Sequence, residues 1–144
     1  MTITIIADGS CHTSHKVGAW AALVVVNNPN MDTYSYRIEG SEKTASSYRM
    51  EIAPVVAALK TIDPKYRGRV HVLTDHSGLA DVINSHVPHR KVEHCQDLLE
   101  ELKAFTMRYR IKAEFRKGHT GDAAHEWCDK LSKQRSAEMK GVGV

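Results

Sequence analysis

Two stretches decide the fold, Ile5-Ile6-Ala7-Asp8-Gly9-Ser10 and Val70-His71-Val72-Leu73-Thr74-Asp75. Each is a short apolar run of strand type that finishes in an aspartate. With Thr2 to Asp8 as the first strand, two more strand-like segments follow, Val17 to Asn27 and Thr33 to Glu39, separated by polar turns that include Asn27-Asn28-Pro29-Asn30. Connections this short predict an antiparallel meander. Ser47 can then cap a helix reaching Ile62, in which Ile52, Val55, Val56, Leu59 and Ile62 recur at the spacings of one buried face. Pro54 falls inside that helix and should kink or locally loosen it. Arg69 to Thr74 is the fourth strand. A short helix from about Ser77 to Asn84 comes next, then a longer one from about Val92 to Met107 with Leu98, Leu99, Leu102 and Phe105 facing inward. Arg110 to Arg116 alternates as a strand with Ile111, Ala113 and Phe115 on one face, Gly118 to Gly121 is a loop, and Ala123 to about Glu138 is the last helix.

The order βββαβααβα is that of an α/β chain. A helical crossover returns the chain parallel to a strand already in the sheet. If the fourth strand lands beside the first, Asp8 and Asp75 stand at neighbouring C-terminal strand ends, where open α/β sheets bind ligands. Either aspartate alone reads as a turn or cap residue. Two further carboxylates change the weighting. Glu51, in Tyr48-Arg49-Met50-Glu51, is flanked by residues that should bury, where a carboxylate is costly unless paired or metal-bound. Asp129 follows Glu126-Trp127-Cys128 in the first turns of the last helix.

Composition narrows the classes. A chain of 144 residues that is 42% hydrophobic can build one core. We read a single domain over residues 1–138 with a short tail, 139–144. The longest apolar run, Ala19 to Val26, is far short of the roughly 18 residues a membrane span needs. No signal-peptide pattern follows Met1, so a cytoplasmic location and no membrane partner are expected. Cys11, Cys95 and Cys128 are odd in number and lack C-x-x-C spacing, which argues for free thiols rather than disulfides or structural zinc. The nine histidines include no H-x-x-x-H pair, which removes the other common zinc pattern. A net charge of +3 is too small for a nucleic-acid tail or a membrane-coating patch, so placement matters more than the sum. Residues 73–85 and 118–129 hold Asp75, Asp81, Asp122, Glu126 and Asp129 without any Lys or Arg. That distribution is a basic surface interrupted by an acidic pocket, suited to cations and a polyanionic partner.

Taken in order, Asp8-Gly9-Ser10, Arg49-Met50-Glu51 with Ala-Leu behind it, Thr74-Asp75, and Gly118-His119-Thr120-Gly121 followed by Asp129 make the chain resemble type I ribonuclease H over nearly its whole length. The resemblance implies a ribonuclease H-like fold, with a five-stranded mixed sheet flanked by helices. It also implies an endonuclease that hydrolyses the RNA strand of RNA/DNA hybrids and leaves 5′-phosphate and 3′-hydroxyl ends. In that reading Asp8, Glu51, Asp75 and Asp129 hold two Mg²⁺ ions, with Mn²⁺ a usual substitute. Asp8 would be shared by both ions, Glu51 and Asp75 would ligate the one nearer the leaving group, and Asp129 the one that binds the attacking water. The chemistry agrees: clustered carboxylates repel unless cations neutralise them, and hard divalent ions prefer oxygen. Two such ions can activate a water and stabilise the leaving oxygen of a phosphodiester. His119 matches the family's mobile histidine, and an imidazole titrating near neutrality suits proton transfer or product departure.

The hybrid duplex implied by the resemblance is recognised through backbone shape and 2′-hydroxyls. Expected substrate contacts are Gly9, Ser10, Cys11 and His12 on the first loop, and Ser46, Ser47, Tyr48 and Arg49 at the first helix. Arg49, Lys16, Lys117 and the segment Pro88-His89-Arg90-Lys91 are candidate phosphate contacts. Three features depart from the family pattern. Cys11-His12-Thr13-Ser14-His15-Lys16 stands where members usually carry a Gly-rich loop with an asparagine. Ser47 and Tyr48 replace a common asparagine pair, leaving Ser46 for a DNA phosphate and Tyr48 to stack or pack on a sugar. Only 43 residues separate Asp75 from His119, too few for a long basic protrusion, of which Arg90 and Lys91 are the remnant. Hybrid binding weaker than in protrusion-bearing relatives is expected. A stand-alone monomeric enzyme is the expected form. Two alternatives remain at this point: a relative of the same fold acting on DNA, which would usually carry extra DNA-binding segments, and a non-catalytic hybrid-binding module, which should have lost a carboxylate.

Overall fold

The computed structural model of the chain describes residues 1–12, 17–43, 47–85 and 95–116, with backbone alone at 10–12, 47 and 85. Alternation along β1 (Thr2–His12) gives it two faces. Ile3, Ile5 and Ala7 join the main core, while Ile6 and Asp8 take the other side. β1 pairs antiparallel with β2 (Val17–Asn27), and β2 with β3 (Tyr34–Lys43). The helix α1 (Ser47–Lys60) then carries the chain to the other side of β1, where β4 (Arg69–Thr74) lies parallel to it. After α2 (Ser77–Ser85) and α3 (Gln96–Arg108), β5 (Arg110–Phe115) adds in parallel to β4. The result is a five-stranded mixed sheet in the order β3-β2-β1-β4-β5, as expected. The last expected helix, Ala123 to Glu138, and the tail lie outside the described residues.

The predicted inner face of α1 is buried throughout, with Val55, Leu59 and Ile52 at 0% exposure. Truncating any of these to alanine would cost about 2–5 kcal/mol. The helix runs through Pro54 without interruption. Proline has no N–H for the Met50 carbonyl four residues back, so one helical bond is forgone. Packing against β1 and β2 keeps the segment helical all the same. In α3, Leu102 is buried and Leu98, Leu99 and Phe105 pack partly buried on the core. Phe115 departs from expectation: it follows the alternation of Ile111 and Ala113 but is 43% exposed, on the last rung of an edge strand. β5 is not left open along its whole length, because the Asn84 side-chain amide donates to the Ala113 carbonyl and accepts from its N–H, both at 2.8 Å.

A second departure matters for function. Asp8 does not finish β1, which continues to His12. The antiparallel ladder explains this, since Asp8 to His12 stay paired with Ala21 to Val17. On the other edge the parallel partner stops: the last β1–β4 pair is Ile6 with Leu73. Asp8 therefore sits inside one ladder and beyond the end of the other.

Candidate metal centre

The site is built where β4 leaves β1. Asp8 and Asp75 each lie two residues past the final parallel pair, Ile6 and Leu73, so the register itself brings them level. Asp8 is 2% exposed and its Oδ1 accepts the Gly9 N–H at 2.9 Å, which fixes the carboxylate plane. Gly9 occupies the face of the strand that α1 covers. A Cβ there would run into the backbone carbonyl and the Cβ of Met50, so only glycine lets the helix lie this close. Glu51, the next residue on α1, is thereby delivered beside Asp8.

One carboxylate oxygen from each of Asp8, Glu51 and Asp75 lies within 4.8 Å of the others. At an effective dielectric of about 20, two like charges that near repel by on the order of 3 kcal/mol. A cluster of this kind is unfavourable until a cation neutralises it. All its donors are hard oxygens, which fits Mg²⁺, Mn²⁺ or Ca²⁺ and does not fit metals that select nitrogen or sulfur. Asp129 and His119, the other expected members, lie outside the described residues.

The residues around the cluster are firmly placed. Thr74 is 1% exposed and its hydroxyl accepts the His76 N–H at 3.1 Å. His76 caps α2, its Nδ1 accepting the Leu79 N–H at 3.0 Å. Its ring lies 5.0 Å from that of Tyr48, centroid to centroid. This cap was not foreseen, although a polar Asp75-His76-Ser77 run ahead of an apolar helix is the sequence signal for one.

The expected substrate contacts fare unevenly. Tyr48 is 5% exposed and belongs to the main core, so its ring is turned away from solvent and cannot stack on a sugar as placed. Burial, with a smaller contribution from Cys95, pushes its phenol up to about 12. Arg49 is not a free cation. It donates from Nη1 and Nη2 to Asp97 at 2.7 and 3.0 Å and from Nε to Glu42. The hydrogen bonds to Asp97 chiefly hold the guanidinium above its ordinary pKa, and Arg49 in turn holds Asp97 below the usual carboxylate range. Gly9 is packed under Met50, and Ser10, Cys11 and His12 form the end of β1 opposite Ala19, Gly18 and Val17. Ser47 opens α1, whereas Ser46, Lys16, Lys117 and Pro88 to Lys91 lie outside the described residues. Phe115, expected on the strand face of Ile111 and Ala113, is instead an exposed aromatic level with Thr74 and so one residue from the register of Asp75.

Comparison with known proteins gives a consistent picture. The chain is similar to ribonuclease H of Francisella tularensis subsp. novicida, 29% identical over 145 residues that cover 93% of this chain and 90% of the relative. Ribonuclease H of Francisella philomiragia is 28% identical with the same coverage. Among solved structures, LC9-RNase H1, a type 1 RNase H with the type 2 active-site motif, superposes with a TM-score of 0.79 at 20% identity, covering 95% of this chain and 72% of that one. The N-terminal RNase H domain of Rv2228c from Mycobacterium tuberculosis superposes with a TM-score of 0.77 at 16% identity, covering 99% of each. Both likenesses bear on the fold. The RNase H family model matches residues 1–137, and over that span the chain belongs to the RNase H family.

Proposed function

We propose that the chain is a metal-dependent endoribonuclease that hydrolyses the RNA strand of RNA/DNA hybrids, leaving 5′-phosphate and 3′-hydroxyl ends. The observation that carries this reading is the convergence of Asp8, Glu51 and Asp75 at one end of the β1–β4 ladder in a chain of this family. With Asp129 as the fourth carboxylate, they would hold two Mg²⁺ ions, or Mn²⁺ in their place. Bound there, such a pair supplies Lewis-acid activation of a water and charge stabilisation at the leaving oxygen.

The chain's own residues do the rest. Asp8, whose carboxylate accepts the Gly9 N–H, would hold the metal together with Glu51, Asp75 and Asp129. Asp75 is steadied by the turn that Thr74 and His76 close. His119 moves a proton as product leaves. Backbone groups of Gly9 to His12 and the hydroxyls of Ser46 and Ser47 contact the duplex. Such a protein acts as a cytoplasmic monomer.

Cleavage of end-labelled RNA/DNA, RNA/RNA and DNA/DNA duplexes with Mg²⁺, Mn²⁺ or EDTA, beside Asp75→Asn, tests the proposal. Cutting of the RNA strand in the hybrid alone, dependent on metal and lost in the variant, is the expected result. Cutting in EDTA, or an unaffected variant, sinks it.

A further inference from the structure

Glu51 is supplied by the first turns of α1, where a helix is least held by its own bonds because its first four amides have no intrahelical acceptor. Arg49 belongs to the same turn. Its fork engages both oxygens of Asp97, in the first turn of α3, while its Nε engages Glu42 near the end of the edge strand β3. One planar group thus ties together the ends of three elements.

Two simpler roles fit poorly. As a phosphate contact, the guanidinium is already faced by two carboxylates, so the trio carries net negative charge and repels an anion. As a stabiliser of the fold it has little to offer, since Asp97 is 64% and Glu42 36% exposed and such pairs contribute about 0–1 kcal/mol. What a bidentate fork does supply is direction. The turn it fixes is also the one whose Tyr48 packs on His76, next to Asp75, and whose Met50 lies on Gly9, next to Asp8. We propose that Arg49 is a positioning residue of the metal site: through Asp97 and Glu42 it holds the start of α1 so that the Glu51 carboxylate stays within reach of Asp8 and Asp75. The inference rests on reading those carboxylates as a metal site.

Its test uses Arg49→Lys, which keeps the charge but loses the fork, Asp97→Asn, and the double variant. Mn²⁺ binding to the substrate-free protein is measured by calorimetry, with kcat, KM and the salt dependence of hybrid binding alongside, and thermal midpoints in EDTA. Each single variant should weaken Mn²⁺ binding by about 10-fold, the low end of what supporting contacts around metal ligands contribute. The hybrid KM should stay unchanged with saturating metal, and the midpoint in EDTA should barely move. The double variant should be no weaker than the weaker single, because both remove one interaction. Wild-type Mn²⁺ affinity in both singles overturns the inference while leaving the metal site standing. So does the opposite pattern of a phosphate contact, in which Asp97→Asn frees the guanidinium and tightens hybrid binding while Arg49→Lys raises KM and lowers the salt slope. A wild-type protein that binds no Mn²⁺ removes the metal reading and the positioning role with it.

Discussion

Gly9 on β1 and Met50 on α1 meet backbone to backbone, so closely that a Cβ on Gly9 would overlap the Met50 carbonyl. The contact joins the two chain segments at the residues next to Asp8 and Glu51. The distance between two of the three clustered carboxylates is therefore set by a missing side chain. Gly9→Ala should push the start of α1 off the strand, at a cost of about 1–3 kcal/mol for overpacking. Because the displaced segment holds Glu51, Mn²⁺ affinity and hybrid cleavage should fall together. Urea unfolding beside calorimetric Mn²⁺ titration checks this, and a destabilised variant with wild-type Mn²⁺ affinity would show that the contact only packs the helix.

The carboxylate cluster predicts a sign that ordinary polar residues do not. Without metal, Asp8, Glu51 and Asp75 repel one another, so replacing one charge relieves the folded state. Asp75→Asn should then unfold in EDTA at the same temperature as the wild type or higher. In Mg²⁺ the order should reverse, since a ligand at about 100 times its Kd adds about 2.7 kcal/mol to the wild type alone. Thermal scans with EDTA and with Mg²⁺ measure both arms. A lower midpoint in EDTA would mean that Asp75 is held by its turn more than it is repelled by its neighbours.

Much of this arrangement was legible in the residues. The apolar spacing of Ile52, Val55, Val56 and Leu59 gave the buried face of α1, and two apolar strands ending near aspartates gave the parallel neighbours β1 and β4. Legibility stopped where tertiary partners decide. Nothing local says that β1 continues past Asp8, because its extension depends on Val17 to Ala21 being opposite. Arg49 read as a substrate contact because a basic side chain suits a phosphate, and Tyr48 because it stands where the resembled family carries an asparagine. Their engagement comes from other elements of the fold: Glu42 at the end of β3, His76 ahead of α2 and Asp97 on α3.

His76 makes a testable cap. Its Nδ1 is the acceptor for Leu79 N–H at the start of α2, one residue after Asp75. His76→Ala should cost about 1 kcal/mol, the usual loss when a capping acceptor is removed, with extra loss from the Tyr48 ring contact. His76→Asn restores a side-chain acceptor of good capping type and should recover part of it. Equal destabilisation in the two variants, measured by urea unfolding at neutral pH, would place the contribution in the ring contact instead of the cap.

Tyr48 predicts an alkaline weakness. Burial, and to a lesser degree Cys95, raises its phenol to about 12, whereas an unfolded chain ionises tyrosine near pH 10. Between those values the unfolded chain has released a proton that the folded chain keeps. The contribution of the raised group is therefore whole below about pH 10 and is lost as pH climbs toward 12. A gap of that size corresponds to roughly 2.7 kcal/mol once the loss is complete. Tyr66, whose phenol burial also raises, is present in both proteins, so comparing wild type with Tyr48→Phe isolates the Tyr48 phenol. Unfolding free energies from urea series between about pH 8 and 12 should fall more steeply for the wild type, the two curves diverging by about 2 kcal/mol at the alkaline end. Parallel curves would mean that the phenol ionises as readily in the folded chain as in the unfolded one and that its packing against His76 in the core does not hold the proton.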